Sequence, residues 1–229
     1  MERYPVNVAT TASAAVPTVA EVAAQRVLRN TYLLLAATLL FSAACAAGSM
    51  ALGLPYPGVL LTLGGYFGLL FAVQKLRNSA WGVALVFVLT GFMGYTLGPI
   101  LSHYMKSIPN GGSVIASSLA VTGVTFLALS AYAVTSRRRF SFMTSFLFVG
   151  VLAAFLLGLV AIFFHLTGLS LAVSAMFVLL SSGIILWETG EIIHGGETNY
   201  VLATVTLYVQ IFNLFTSLLQ LLGGSSSRN

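Results

Sequence analysis

Seven long apolar runs dominate this chain, and they leave a helical membrane bundle as the architecture open to it. A helix needs about 20 apolar residues to cross the hydrocarbon of a bilayer. In lipid every peptide group must find its partner within the protein, which favours helices that bond internally. The runs cover roughly 31–53, 57–74, 81–101, 113–135, 142–164, 169–187 and 200–222. Hydrophobic residues make up 58% of the chain and charged residues 7%, against about 25% charged in an ordinary soluble domain. A larger core cannot close that gap, because a water-facing surface needs charge. The expected fold is an all-α membrane protein, a bundle of seven transmembrane helices.

The gaps between runs are short, so consecutive helices should be antiparallel neighbours. Pro55 and Pro57 mark the first gap, and Pro109, Asn110 and Gly111 the third. Residues 1–25 are rich in Ala, Thr, Ser and Val and read as a flexible tail, with a short helix from about Val19 to Arg29 leading into the membrane. Residues 26–224 form the seven-helix domain and 225–229 a short C-terminal tail. The first 30 residues hold no apolar core, so the first membrane helix should act as an uncleaved anchor.

The charges set the orientation. Arg3, Arg26, Arg29, Lys75, Arg77, Arg137, Arg138 and Arg139 fall on one side of the predicted bundle, Lys106 and Arg228 on the other. The positive-inside rule then places the N-terminus in the cytoplasm and, after seven spans, the C-terminus in the periplasm of a bacterial-type inner membrane. The pI near 9.6 does not indicate nucleic acid, because the basic residues sit in short gaps and form no continuous face. The expected contact is membrane lipid.

Polar residues within the runs are few and ordered. On the last run Thr206, Gln210, Asn213, Ser217 and Gln220 share one helix face, with Asn199 seven residues before Thr206. Amides facing hydrocarbon unpaired would cost several kcal/mol each, by rough estimate. The last helix should therefore be enclosed by the others, locking them by hydrogen bonds, or line a hydrated path. Gly64 with Gly68, and Gly94 with Gly98, have the small-residue spacing that lets helices approach closely.

All five acids are Glu, and three of them, Glu188, Glu191 and Glu197, lie in the hairpin Trp187–Tyr200 before the last helix. Carboxylates at a membrane edge are candidate functional groups. Solvation, or pairing with Arg137–Arg139 on the same side, would also account for them. No catalytic or metal site is expected. His103 and His165 lie across the membrane from His194, there is no HExxH pattern, and Cys45 is the lone cysteine. Ser181, Ser182 and Gly183 read as packing residues, and no cofactor is implied.

One run is specific enough to indicate a family. Ile192, Ile193, His194, Gly195, Gly196, Glu197, Thr198, Asn199 and Tyr200, with Glu188-Thr189 before them and Leu207-Tyr208-Val209 and Asn213-Leu214-Phe215 after, resemble the Bax inhibitor-1 family, in particular its YccA branch. Val27–Tyr32 and Gly91–Leu101 continue the resemblance upstream. The resemblance implies seven spans with the C-terminal helix central. It implies an inner-membrane partner and slow substrate of the FtsH membrane protease, restraining that protease and degraded from its N-terminal tail. Other members of the family are pH-sensitive calcium leak channels latched by two Asp on the last two helices. Glu188 matches the first of these acids and Gln210 stands in place of the second, so a proton-sharing pair is not available. Proton- or calcium-responsive behaviour would rest on Glu188, Gln210, Glu191 and Glu197.

Overall fold

The computed structural model describes residues 19–136 and 143–226. Residues 1–18, which hold most of the expected tail, together with Arg137–Arg139 and residues 227–229, lie outside the described residues.

Seven helices follow in order: α1 Val19–Ala51, α2 Val59–Leu76, α3 Ala80–Ser107, α4 Gly111–Thr135, α5 Met143–Phe163, α6 Thr167–Ile193 and α7 Tyr200–Ser226. Each is long and apolar enough to cross a membrane. Large side chains such as Leu60, Phe71, Phe146 and Phe148 are exposed on the outside of the bundle. This is the inverse of a soluble protein and the expected surface of a multi-pass membrane protein.

Two helix ends matter for function. α1 begins at Val19 without a break and runs for 33 residues, about 50 Å at 1.5 Å per residue. The helix expected from about Val19 is thus continuous with the first span. α6 continues to Ile193, so Glu188 and Glu191 lie on one helix, as their spacing of three suggests. The hydropathy signal fades at Trp187 because polar residues begin there, but backbone hydrogen bonding does not stop where apolar side chains do.

α7 packs against α1, α3, α4 and α6, while α2 leans on α3 and α5 on α6. No residue of α7 between 201 and 224 is exposed. Its fully buried side chains Val201, Leu207, Tyr208 and Leu214 join Leu35 of α1, Val86 and Leu89 of α3, and Ile185 and Ile192 of α6 in the main core.

The two glycine pairs behave differently. A Cβ at Gly94 would overlap the carbonyl oxygen of Ser42, and one at Gly98 would overlap the Ser49 side chain. These glycines let α3 lie directly on α1. Gly64 and Gly68 have open space around them. On α2 it is Gly65 that makes room, for the Phe92 ring.

Candidate functional site

Glu188 sits on the inward face of α6. Ile185 and Ile192, three residues before it and four after, have no exposure at all, and Glu188 itself is 4% exposed. It is thus an acid set among apolar neighbours of the main core. One carboxylate oxygen, Oε1, is fully buried without a hydrogen-bond partner among the described residues, as is the Nε1 of neighbouring Trp187. Among the described residues the charges that act on Glu188 are those of Glu197 and Glu191, both acidic.

No hydrogen bond joins Glu188 to Gln210, and hairpin geometry explains why. Glu188 lies five residues from the end of α6, and Gln210 ten from the start of α7. In an antiparallel pair that is an offset of five residues, or about 7 Å along the axis. The same count places Gln220 level with Ser174. There the contact is made: Ser174 Oγ donates to Gln220 Oε1 at 2.6 Å, and Gln220 Nε2 donates to Ser170 Oγ.

The polar stripe of α7 is therefore divided. Gln220 is clamped to α6 by two serines. Asn213, Ser217 and Gln220, with Ser170 and Ser174, line a cleft of about 400 Å³ between α7, α6 and α5. Asn213 also reaches a second, apolar cavity of about 520 Å³ bounded by α2, α3 and α5. Thr206 and Gln210 are half-buried.

The run from Ile192 to Tyr200 is a turn built from its own side chains. Gly190 O accepts from His194 N at 3.0 Å and faces His194 Nδ1 at 2.8 Å, which closes the end of α6. Gly195 then turns the chain with φ +75°, a conformation that suits glycine. Glu197 Oε1 accepts from Asn199 N at 2.6 Å. Asn199 caps α7, its Oδ1 accepting from Val201 N and Leu202 N, while its Nδ2 donates to Asn78 Oδ1 at 2.8 Å. The most specific stretch of the sequence thus fixes the α6–α7 hairpin and ties it to the α2–α3 turn. Glu197 carries a structural bond as well as charge.

A polar centre that the sequence reading did not single out lies at Tyr208. Its hydroxyl is 2.5 Å from Ser42 Oγ of α1 and 3.3 Å from Thr90 O of α3, with the residue 1% exposed. A tyrosine in mid-helix whose partners are backbone and serine leaves no spacing pattern by which to find it.

Among the described residues no cluster of three or more His, Cys, Asp or Glu could hold a metal ion.

Comparison with known proteins settles the family. Residues 24–227 match the family described as Inhibitor of apoptosis-promoting Bax1. The chain belongs to the Bax inhibitor-1 family. It is 50% identical over 202 residues to the Escherichia coli K12 protein named Modulator of FtsH protease YccA, covering 88% of this chain and 91% of that one. An uncharacterised protein of Pseudomonas aeruginosa is 55% identical over 197 residues, 86% of this chain and 88% of its own length. A Vibrio cholerae protein named as an uncharacterised membrane protein is 46% identical over 199 residues, 86% of this chain and 89% of that one.

Proposed function

We propose that this protein is a non-enzymatic inner-membrane partner of an FtsH-type membrane protease, restraining its action on other membrane proteins and serving as its slow substrate. The observation that carries this reading is 50% identity to a named modulator of FtsH protease over 88% of the chain. The N-terminus is cytoplasmic in this reading, so residues 1–18 precede α1 on the side where a processive ATPase works. The close α1–α3 seam at Gly94 and Gly98 would, in this reading, slow extraction of the bundle and so hold the protease.

The experiment is co-purification from native membranes with the partners identified, combined with the lifetime of a form lacking residues 2–18. That deletion spares α1. The full-length protein should bring down the protease and turn over, while the truncated form persists. Absence of the protease from the purified complex, with equal lifetimes of both forms, would overturn the reading. Thiol labelling tests the orientation after Cys45 is replaced. Single cysteines at Ser79 and Ser136 should be shielded from an impermeant reagent in intact cells, and those at Ser107 and Ser226 should react.

A second reading, a cation leak influenced by pH, is favoured by one feature: a buried Glu188 whose Oε1 has no hydrogen-bond partner among the described residues. Calcium flux into liposomes from pH 5 to 8 tests it. Flux that is large in the wild type and abolished by Glu188→Gln would make this the primary function.

A further inference from the structure

α1 and α4 stand side by side with a groove between them. Both pack on α6 and α7, and the Tyr32 and Phe126 rings bridge them with centroids 5.9 Å apart. Toward one end of the bundle the groove widens to about 500 Å³, within the range of roughly 300–1,000 Å³ of small-ligand sites. Its walls are Leu28 and Tyr32 on α1 and Leu127, Ala131 and Val134 on α4. At this depth the surrounding medium is lipid, so an apolar groove open to the side is filled by hydrocarbon.

Two polar features distinguish this groove from an ordinary seam between helices. Ser130 lines it, is 5% exposed, and its Oγ has no hydrogen-bond partner. A buried hydroxyl on a helix ordinarily donates to a carbonyl one turn earlier, as Ser118 and Thr122 do here. Ser130 does not, so its buried hydroxyl calls for a partner that the described residues do not supply. Second, the end of the groove carries Gln25 and the exposed Arg29, and among the described residues no carboxylate pairs with Arg29. Glu21, on the same face of α1, is eight residues away, or about 12 Å along the helix, and has an interaction of its own. In sequence, Arg137, Arg138 and Arg139 follow within five residues of Val134. The chemistry is that of an apolar slot, a hydroxyl donor inside it and a cation at its mouth.

We propose that the α1–α4 groove binds an anionic phospholipid. One acyl chain lies along Leu28, Leu127 and Val134, Ser130 Oγ donates to an ester carbonyl, and Arg29 meets the phosphate. A basic pocket between membrane helices is suited to such a headgroup. The site includes neither Glu188 nor the α7 cleft, and it does not depend on the protease reading.

Native mass spectrometry of the full chain released from detergent tests this, with equal amounts of phosphatidylglycerol and phosphatidylcholine offered. The wild type should retain phosphatidylglycerol at least about fivefold over phosphatidylcholine, the scale of one favourable charge contact at a membrane surface. Arg29→Gln should bring the two to parity, while Arg77→Gln, at the α2–α3 turn, should keep the preference. Ser130→Ala should lower retention of both lipids. Ala131→Trp, at an exposed position, should block both by filling the groove, with folding checked by gel filtration. Soluble glycerol phosphate should not compete. Equal retention by the wild type would overturn the proposal. So would a preference that survives Arg29→Gln, retention that survives Ala131→Trp, or displacement by glycerol phosphate. Retention surviving Ala131→Trp would mean that a protein segment or nothing lipidic occupies the groove. Displacement by glycerol phosphate would mark a plain phosphate site.

Discussion

The hydroxyl of Tyr208 lies 2.5 Å from Ser42 Oγ, and this contact joins α7 to α1 in the middle of the bundle. With its one proton directed at Thr90 O of α3, Tyr208 accepts from Ser42, so three helices meet at one phenol. Ser42 is also the residue whose carbonyl lies against Gly94. The polar bond and the closest backbone approach therefore occupy the same turn of α1.

Removing that hydroxyl should loosen the bundle without unfolding it. Tyr208→Phe leaves the ring in place and is expected to cost about 1 kcal/mol, with membrane hydrogen bonds averaging nearer 0.6 kcal/mol. Ser42→Ala should cost a similar amount, and the double variant less than the sum, because both remove one bond. Unfolding in mixed micelles for the four proteins provides the cycle. Strict additivity would show that the two groups do not interact in the folded state.

The glycines predict a sharper contrast. Gly98→Leu forces a side chain into Ser49 and the Ala46 carbonyl, and overpacking of this kind costs about 1–3 kcal/mol. Gly68→Leu enters open space and should change stability by no more than about 0.5 kcal/mol. Thermal denaturation followed by loss of the monodisperse peak would rank them. Equal damage from the two substitutions would mean that α2 has a neighbour at Gly68 in the membrane.

This contrast also shows what was legible in the sequence. Gly64–Gly68 and Gly94–Gly98 carry the same spacing, and nothing local separates them; the difference lies in Ser42, Ala46 and Ser49, some fifty residues away. Span number follows from hydrophobic length and was readable. The ends of α6 were not, because polarity begins at Glu188 while the helix continues to Ile193. The pairing of Glu188 with Gln210 was suggested by family pattern, but their axial offset depends on where α6 and α7 begin and end. Ser170 and Ser174, which clamp Gln220, look in sequence like any small membrane residues.

Asn199 should be worth more than its cap. Asn199→Ala removes the acceptor for Val201 N and Leu202 N, a loss of about 1 kcal/mol for a typical cap, and it also cuts the bond to Asn78. Asn199→Asp keeps the acceptor but turns a carboxylate oxygen toward Arg77 O and Asn78. Hydrogen exchange at residues 200–203 should rise strongly in the alanine variant and little in the aspartate variant, while both free the α2–α3 turn. Slow exchange in Asn199→Ala would show that the hairpin is held from elsewhere.

Glu188 is expected to lower stability rather than add to it. Among the described residues its carboxyl has a buried oxygen without a partner, the charges acting on it, Glu197 and Glu191, are of the same sign, and Ile185 and Ile192 flank it on the core face. A buried polar group left unmatched costs about 1–3 kcal/mol, more when charged. Glu188→Met fills similar volume with no polar atom, so it should raise the midpoint of unfolding, and Glu188→Gln should give a smaller gain. A residue kept at such a cost is a candidate for function, so the more stable Glu188→Met protein should be the one impaired when protease restraint or calcium flux is measured. A fall in stability on Glu188→Met would reverse the argument. It would mean that water or a cation satisfies the carboxylate within the membrane, and it would place the leak reading ahead of the protease one.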